Sequence, residues 1–218
     1  MSLRRILIFL FCISLGVEAL AAPEAPKSEA MPAFSVFLSP KPDGHSVFYT
    51  VMPGDNFTKI SRKNHVTPDL LIMVNGVEDR RLQSGMKIKI PTYKLSLVVD
   101  KSQNTLTLKG DEEILKSYPV ATGINNSTPV GTFVITDKLV NPTWYKNNKA
   151  IAPGDPENQL GTRWMGINKK SYGIHGTIEP DKLGQQITAG CVRMKNEEVE
   201  ELYRIVPPGT PVTIVDKK

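Results

Sequence analysis

From Leu95 onward the apolar residues recur with a period of two. The runs LSLVVD (95–100), TLTL (105–108) and EILKSYPVAT (113–122) are rich in β-branched and aromatic residues, with Asn, Gly and Asp turns between them. GTFVIT, RWMGI and YGIHG follow in the same style. Successive side chains of a strand point to opposite faces, so runs of this kind bury one face of a sheet. Only one late segment departs from the pattern. Asn196 can cap a helix with Glu197 and Glu198 in its first turn and Val199, Leu202, Tyr203 and Val206 at helical spacing. PPGTPVTIVD then reads as a closing strand. Residues 93–217 are therefore expected to form a mainly β domain with one helix, long enough to bury its own core.

The preceding stretch, 47–92, has a different rhythm. VFYTV alternates like a strand, PGD turns, and Asp55 can cap a helix carrying Phe57 and Ile60. Thr67 caps a second helix, with Pro68 at its first position and Leu70, Leu71 and Val74 inside. NGVED breaks that helix, LQSG turns, and MKIKI alternates up to Pro91. This βααβ order, with YTVMPGDNFTKIS, VTPDLLIMVNG and LQSGMKIKIP, resembles a LysM module over residues 48–91. That family binds glycans containing N-acetylglucosamine. The resemblance implies a small α+β domain whose ligand groove lies between the loop 53–57 and the loop 72–77. Pro53, Gly54, Asp55, Asn75 and Gly76 would line it.

The amino end sets the compartment. MSLRR is a short positive segment, Ile6 to Val17 an unbroken apolar run, and Ala19 to Ala21 a small-x-small cleavage pattern. That is the anatomy of a secretory signal peptide over residues 1–21. Its apolar run is shorter than the roughly 20 residues needed to span a bilayer, so no stable membrane span is expected after cleavage. Periplasm or cell wall is the expected location. Pro23, Pro26, Pro32, Pro40 and Pro42 then fall among Ala, Ser, Lys and Glu, and 22–46 reads as an extended tether. The formal charge of +5 suits an anionic polymer. There is no Lys/Arg block and no aromatic–basic stripe, which argues against nucleic acid as partner.

With Cys12 lost in the leader, Cys191 is the one remaining thiol, in an oxidising compartment and without an internal disulfide partner. GIHGTIEPDKLGQQITAGCVRM (173–194) places His175 sixteen residues before it. One Cys and one His fall short of the three or four ligands zinc takes, so no metal is expected. A thiol is only a few per cent thiolate at neutral pH and needs a base within reach, and His175 is the candidate. Gly190 and Cys191 could turn their N–H groups towards a developing oxyanion, and the Gly176 carbonyl could accept the Nδ1 proton of His175.

This stretch closely resembles the catalytic signature of the L,D-transpeptidases of the YkuD type: a histidine in HGT, then a Ser/Thr-x-Gly-Cys run, here TAGCVRM. TGINNSTPVGTFVIT, NPTW and PGDPENQLGTRWMGI extend the likeness upstream. Ala189 departs from it, since histidine or serine is frequent there. The resemblance implies a β-sandwich or barrel with Cys191 as nucleophile and His175 as base. Gly176 would orient the base, with Thr188 and Arg193 beside the site; an Arg193 that only braces the loop is an equal alternative. Trp144 and Tyr145 are candidates for the substrate cleft or for the core. The implied reaction is peptidoglycan cross-linking through a thioester by a monomeric enzyme without cofactor, its substrates stem peptides on glycan strands. L,D-carboxypeptidase or D-amino-acid exchange by the same thioester, or peptidoglycan binding without catalysis, are the alternatives.

Overall fold

The computed structural model describes residues 27–77 and 81–217. The expected signal peptide, 1–21, and the first residues of the expected tether lie outside them. Strand β1 (Glu29–Ala30), helix α1 (Pro32–Phe37) and strand β2 (Ser46–Thr50) precede α2 (Phe57–Asn64), α3 (Pro68–Asn75) and β3 (Lys87–Pro91). Then come β4 (Leu95–Asp100), β5 (Thr105–Gly110), β6 (Glu113–Pro119), β7 (Thr122–Gly123) and β8 (Gly131–Val140). Strands β9 (Trp144–Lys146), β10 (Lys149–Ile151), β11 (Arg163–Ile167), β12 (Gly173–His175), β13 (Gln186–Thr188) and β14 (Val192–Arg193) follow. Helix α4 (Asn196–Ile205) and strand β15 (Pro211–Val215) close the chain.

Nine strands make one sheet in the order β1-β6-β5-β4-β15-β8-β11-β12-β14. Its pairings are antiparallel except β4 with β15 and β12 with β14. The period-two pattern sets which face is buried. Leu97 and Val99 of β4, Leu106 and Leu108 of β5, and Val212 and Ile214 of β15 all point into one core. There they meet Val199, Leu202 and Ile205, the apolar stripe of α4. The domain is mainly β with one long helix, as the alternation predicts. The start of α4 differs in detail. Lys195 holds the cap position and no side chain caps the helix, because Asn196 is engaged elsewhere.

The βααβ unit also forms as expected, β2 pairing antiparallel with β3. Asn56, not Asp55, caps α2 by accepting from the Lys59 N–H. Asp55 instead accepts from the Tyr49 hydroxyl (2.7 Å) and the Met52 N–H (2.9 Å), which fixes the PGD turn. Thr67 caps α3, and its hydroxyl also donates to the Arg204 carbonyl near the end of α4. Leu71 and Ile72 fill the small domain's core, whereas Leu70 and Val74, on another face of α3, join the core of the large domain. The two domains are thus packed on each other.

The tether expected over 22–46 is corrected from Glu29 onward. β1 adds an edge strand to β6, and α1 buries Phe34 and Phe37 in the main core. The proline count masked this, since Pro32 sits at the first turn of α1, where its missing N–H costs nothing. Lys89 of β3 is fully buried and holds the following turn, donating to the Val36 and Ser39 carbonyls and pairing with Asp43 at 2.6 Å.

Candidate active site

β12 and β14 run side by side and parallel, with Ile174 opposite Val192 and His175 opposite Arg193. This pairing closes the sixteen-residue gap between His175 and Cys191. Cys191 is half-buried, just before β14. With Trp144, Tyr145, Trp164, Leu139, Leu160 and Ser171 it lines a cleft of 310 Å³. Trp144 and Tyr145 sit on the β9–β10 hairpin, and Tyr145 is 74% exposed, so the pair belongs to the cleft and not to the core. The hairpin turn is Asn147–Asn148, both at positive φ (48° and 62°), the backbone a two-residue turn requires and asparagine tolerates.

The thiol donates to the Ser171 carbonyl at 3.5 Å, and the backbone N–H of Gly173 acts as a stabilising influence on the thiolate. Burial pushes the Cys191 thiol up, against the smaller opposing pull of that N–H and of Arg193. His175 is buried and neutral. Desolvation pulls its pKa down from 6.5 to about 4, against the Gly176 hydrogen bond, and the Arg193 charge lowers it further. Its Nδ1 meets the Gly176 carbonyl at 2.7 Å, as the sequence suggests, and its ring stacks on Trp164 at 5.9 Å. Burial thus favours the neutral form of both the Cys191 thiol and the His175 imidazole.

Thr188 and Gly190 build the turn that presents Cys191. The Thr188 hydroxyl donates to the Cys191 carbonyl (2.6 Å) and accepts from the Gly190 N–H (3.1 Å). That N–H, expected to face an oxyanion, is engaged in the turn. Gly190 itself lies at φ +128°, and a Cβ there would come within 2.7 Å of the Tyr172 ring. Arg193, 5% exposed, reaches Glu179 and Gln159, each at 3.1 Å, and so braces the loops around the site. Among the described residues no three His, Cys, Asp or Glu side chains cluster as metal ligands.

The residues expected to line the glycan groove divide. Pro53 and Gly54 are exposed, with Gly54 at φ +82° and Gly76 at φ +62° serving turns. Asn75 uses its amide internally. Its Oδ1 accepts from the Lys89 N–H (2.7 Å) and its Nδ2 donates to the Leu71 and Lys89 carbonyls, pinning α3 to β3. Its polar atoms, like those of Asp55, hold the loops in place. Sequence reasoning missed the Ser171 carbonyl, the Gly173 N–H and Trp164. Trp164 lies in RWMGI, whose alternation reads as a strand, and backbone groups leave no residue-type signal.

A curled nine-stranded sheet around one late helix, preceded by a βααβ unit, defines the class. A family profile described as the L,D-transpeptidase catalytic domain, YkuD, matches residues 94–214, more than half of the chain, and one described as the LysM domain matches 49–91. The chain belongs to the YkuD family of L,D-transpeptidases and carries an amino-terminal LysM domain. It is 35% identical over 173 residues to a candidate L,D-transpeptidase, YkuD, of Bacillus subtilis (strain 168), covering 76% of this chain and 97% of the relative. A second from that organism, YqjB, is 40% identical over 126 residues, covering 55% and 70%. An L,D-transpeptidase structure from Mycobacterium tuberculosis H37Rv superposes with TM-score 0.50 at 18% identity, covering 62% of this chain and 64% of that one, and it supports the fold alone.

Proposed function

We propose that the chain is a cell-wall peptidoglycan L,D-transpeptidase working through a Cys191 thioester. The observation that carries this reading is a half-buried thiol in an aromatic cleft, one strand away from an imidazole whose Nδ1 is held by a backbone carbonyl. That hydrogen bond leaves Nε2 with a lone pair, the form a general base needs.

Because both partners rest neutral, the thiol proton passes to Nε2 as Sγ attacks. The carbonyl attacked joins the L-centred third residue of a stem peptide to its terminal D-alanine. With the Gly190 N–H engaged in the turn, the Cys191 N–H is the one of the two expected donors left for the tetrahedral oxyanion. The C–N bond then breaks, D-alanine leaves with the proton from His175, and a thioester remains. An amine of a neighbouring stem attacks the thioester, gives its proton to His175 and expels the thiolate, which recovers that proton. The products are a 3–3 cross-link and free enzyme. Trp144, Tyr145 and Trp164 supply aromatic walls against which the stem peptide lies. The LysM domain holds the enzyme on the glycan and raises local substrate concentration.

The test is intact-protein mass spectrometry after incubation with a disaccharide-tetrapeptide. A thioester adduct with D-alanine release is expected in the wild type and absent in Cys191→Ala. Wild-type turnover by Cys191→Ala or His175→Ala would overturn the mechanism. Wild-type glycan binding without adduct or D-alanine would assign the chain to wall binding.

A further inference from the structure

Asn196 occupies the first position of α4, yet its side chain turns away from the helix towards the base. Oδ1 accepts from the Thr162 N–H (3.2 Å) and the Thr177 N–H (3.1 Å), and Nδ2 donates to the Thr177 carbonyl (2.9 Å). The amide therefore pairs with Thr177 on both sides, much as a neighbouring strand would. Two glycines leave it room. A Cβ on Gly176 would lie 2.2 Å from Asn196 Oδ1, and one on Gly161 2.3 Å from it. No other residue type fits at either position without displacing this side chain.

The peptide between Gly176 and Thr177 connects these contacts to the chemistry. Its N–H donates to Asn196, and its C=O meets His175 Nδ1 at 2.7 Å. A trans peptide is planar, with N–H and C=O pointing in opposite directions, so anchoring the N–H aims the carbonyl. Hydrogen bonding at the N–H also polarises the unit and makes that carbonyl a stronger acceptor. We propose that Asn196 is a positioning residue which, through the Gly176–Thr177 peptide, fixes the ring orientation and the Nδ1–H tautomer of His175. It touches no reacting atom. The inference rests on the proposal that His175 is the base, but its principal readout requires no substrate.

That readout is the imidazole 15N spectrum of the free protein, with the His175 signals assigned by their loss in His175→Gln. At pH 7 the wild type is expected to hold a proton on Nδ1 and none on Nε2. Asn196→Ala is expected to shift His175 towards the Nε2–H tautomer while the other two histidines keep their signals. In the disaccharide-tetrapeptide assay, acylation should fall by about 10- to 100-fold with KM within about threefold of wild type. If Asn196→Ala does not fold, Asn196→Ser, which shortens the side chain and removes the amide, takes its place. A wild-type His175 protonated on Nε2, or a folded variant that keeps the wild-type tautomer, overturns the inference whatever the substrate proves to be. A tautomer shift in a chain that forms no adduct with the tetrapeptide would uphold the positioning role and overturn the proposed reaction.

Discussion

Burial shifts His175 and Cys191 each away from its charged form, in a direction that pH can read. With the imidazole held to about 4 and the thiol pushed up, no thiolate–imidazolium pair stands ready in the free protein. Alkylation of Cys191 by iodoacetamide is expected to be slow at pH 7 and to keep rising through pH 9. A plateau near pH 6 would instead reveal a preformed ion pair. The same burial links to stability. The folded value of about 4 lies below the 6.5 of the free side chain, so the unfolded chain binds the extra proton between them. The stabilisation from a neutral His175 is complete above pH 6.5 and is lost as pH falls towards 4, by about 3 kcal/mol. Urea midpoints of His175→Gln should lose this part of the slope between pH 6.5 and 4. At Gly190, alanine meets both a left-handed backbone and the Tyr172 ring, 2.7 Å from its Cβ. We expect Gly190→Ala to cost at least about 1–3 kcal/mol and to abolish acylation, read by melting and by the adduct assay.

At the scale of elements, the segment before the LysM domain behaves as a strap. Lys89 and Asp43 are a buried pair, their side chains 0% and 6% exposed, and the lysine also satisfies two carbonyls. Removing one partner leaves the other without its counter-charge in a dry site, which typically costs about 3–5 kcal/mol. Lys89→Ala should therefore lower stability by that order in urea titration, far more than Lys87→Ala on the exposed end of the same strand. The strap also explains what the sequence left hidden. Period-two runs marked β4, β5 and β15 because each buries one face, and the α4 stripe was equally plain. The strap's two phenylalanines lie three apart in a six-residue helix, too short for periodicity to outweigh five prolines. At the site, His175 and Cys191 were legible as residue types with a distinctive spacing. Asn196 was misread because local sequence favours the cap reading and only the fold brings Thr177 within its reach, whereas the Gly190 N–H meets Thr188 only two residues away, a local turn that the oxyanion reading passed over.

For the molecule as a whole, the consequence is that the LysM and L,D-transpeptidase domains share one core. Three residues, 92–94, separate β3 from β4, and the Thr92 N–H donates to the His45 carbonyl of the strap. Leu70 and Val74 of α3 share a core with Val199 and Leu202 of α4, and Thr67 ties α3 to the Arg204 carbonyl. α4 in turn begins at Asn196, beside the base. A domain on a flexible linker unfolds independently, whereas domains sharing a core unfold together. Calorimetry is expected to give one endotherm, with calorimetric and van't Hoff enthalpies equal. Leu70→Ala, at a wholly buried interface position, should cost about 2–5 kcal/mol and lower that single transition instead of splitting off a LysM transition. Two resolved endotherms in the wild type would mean that the LysM domain moves independently and that the interface is too weak to fix the glycan strand relative to Cys191.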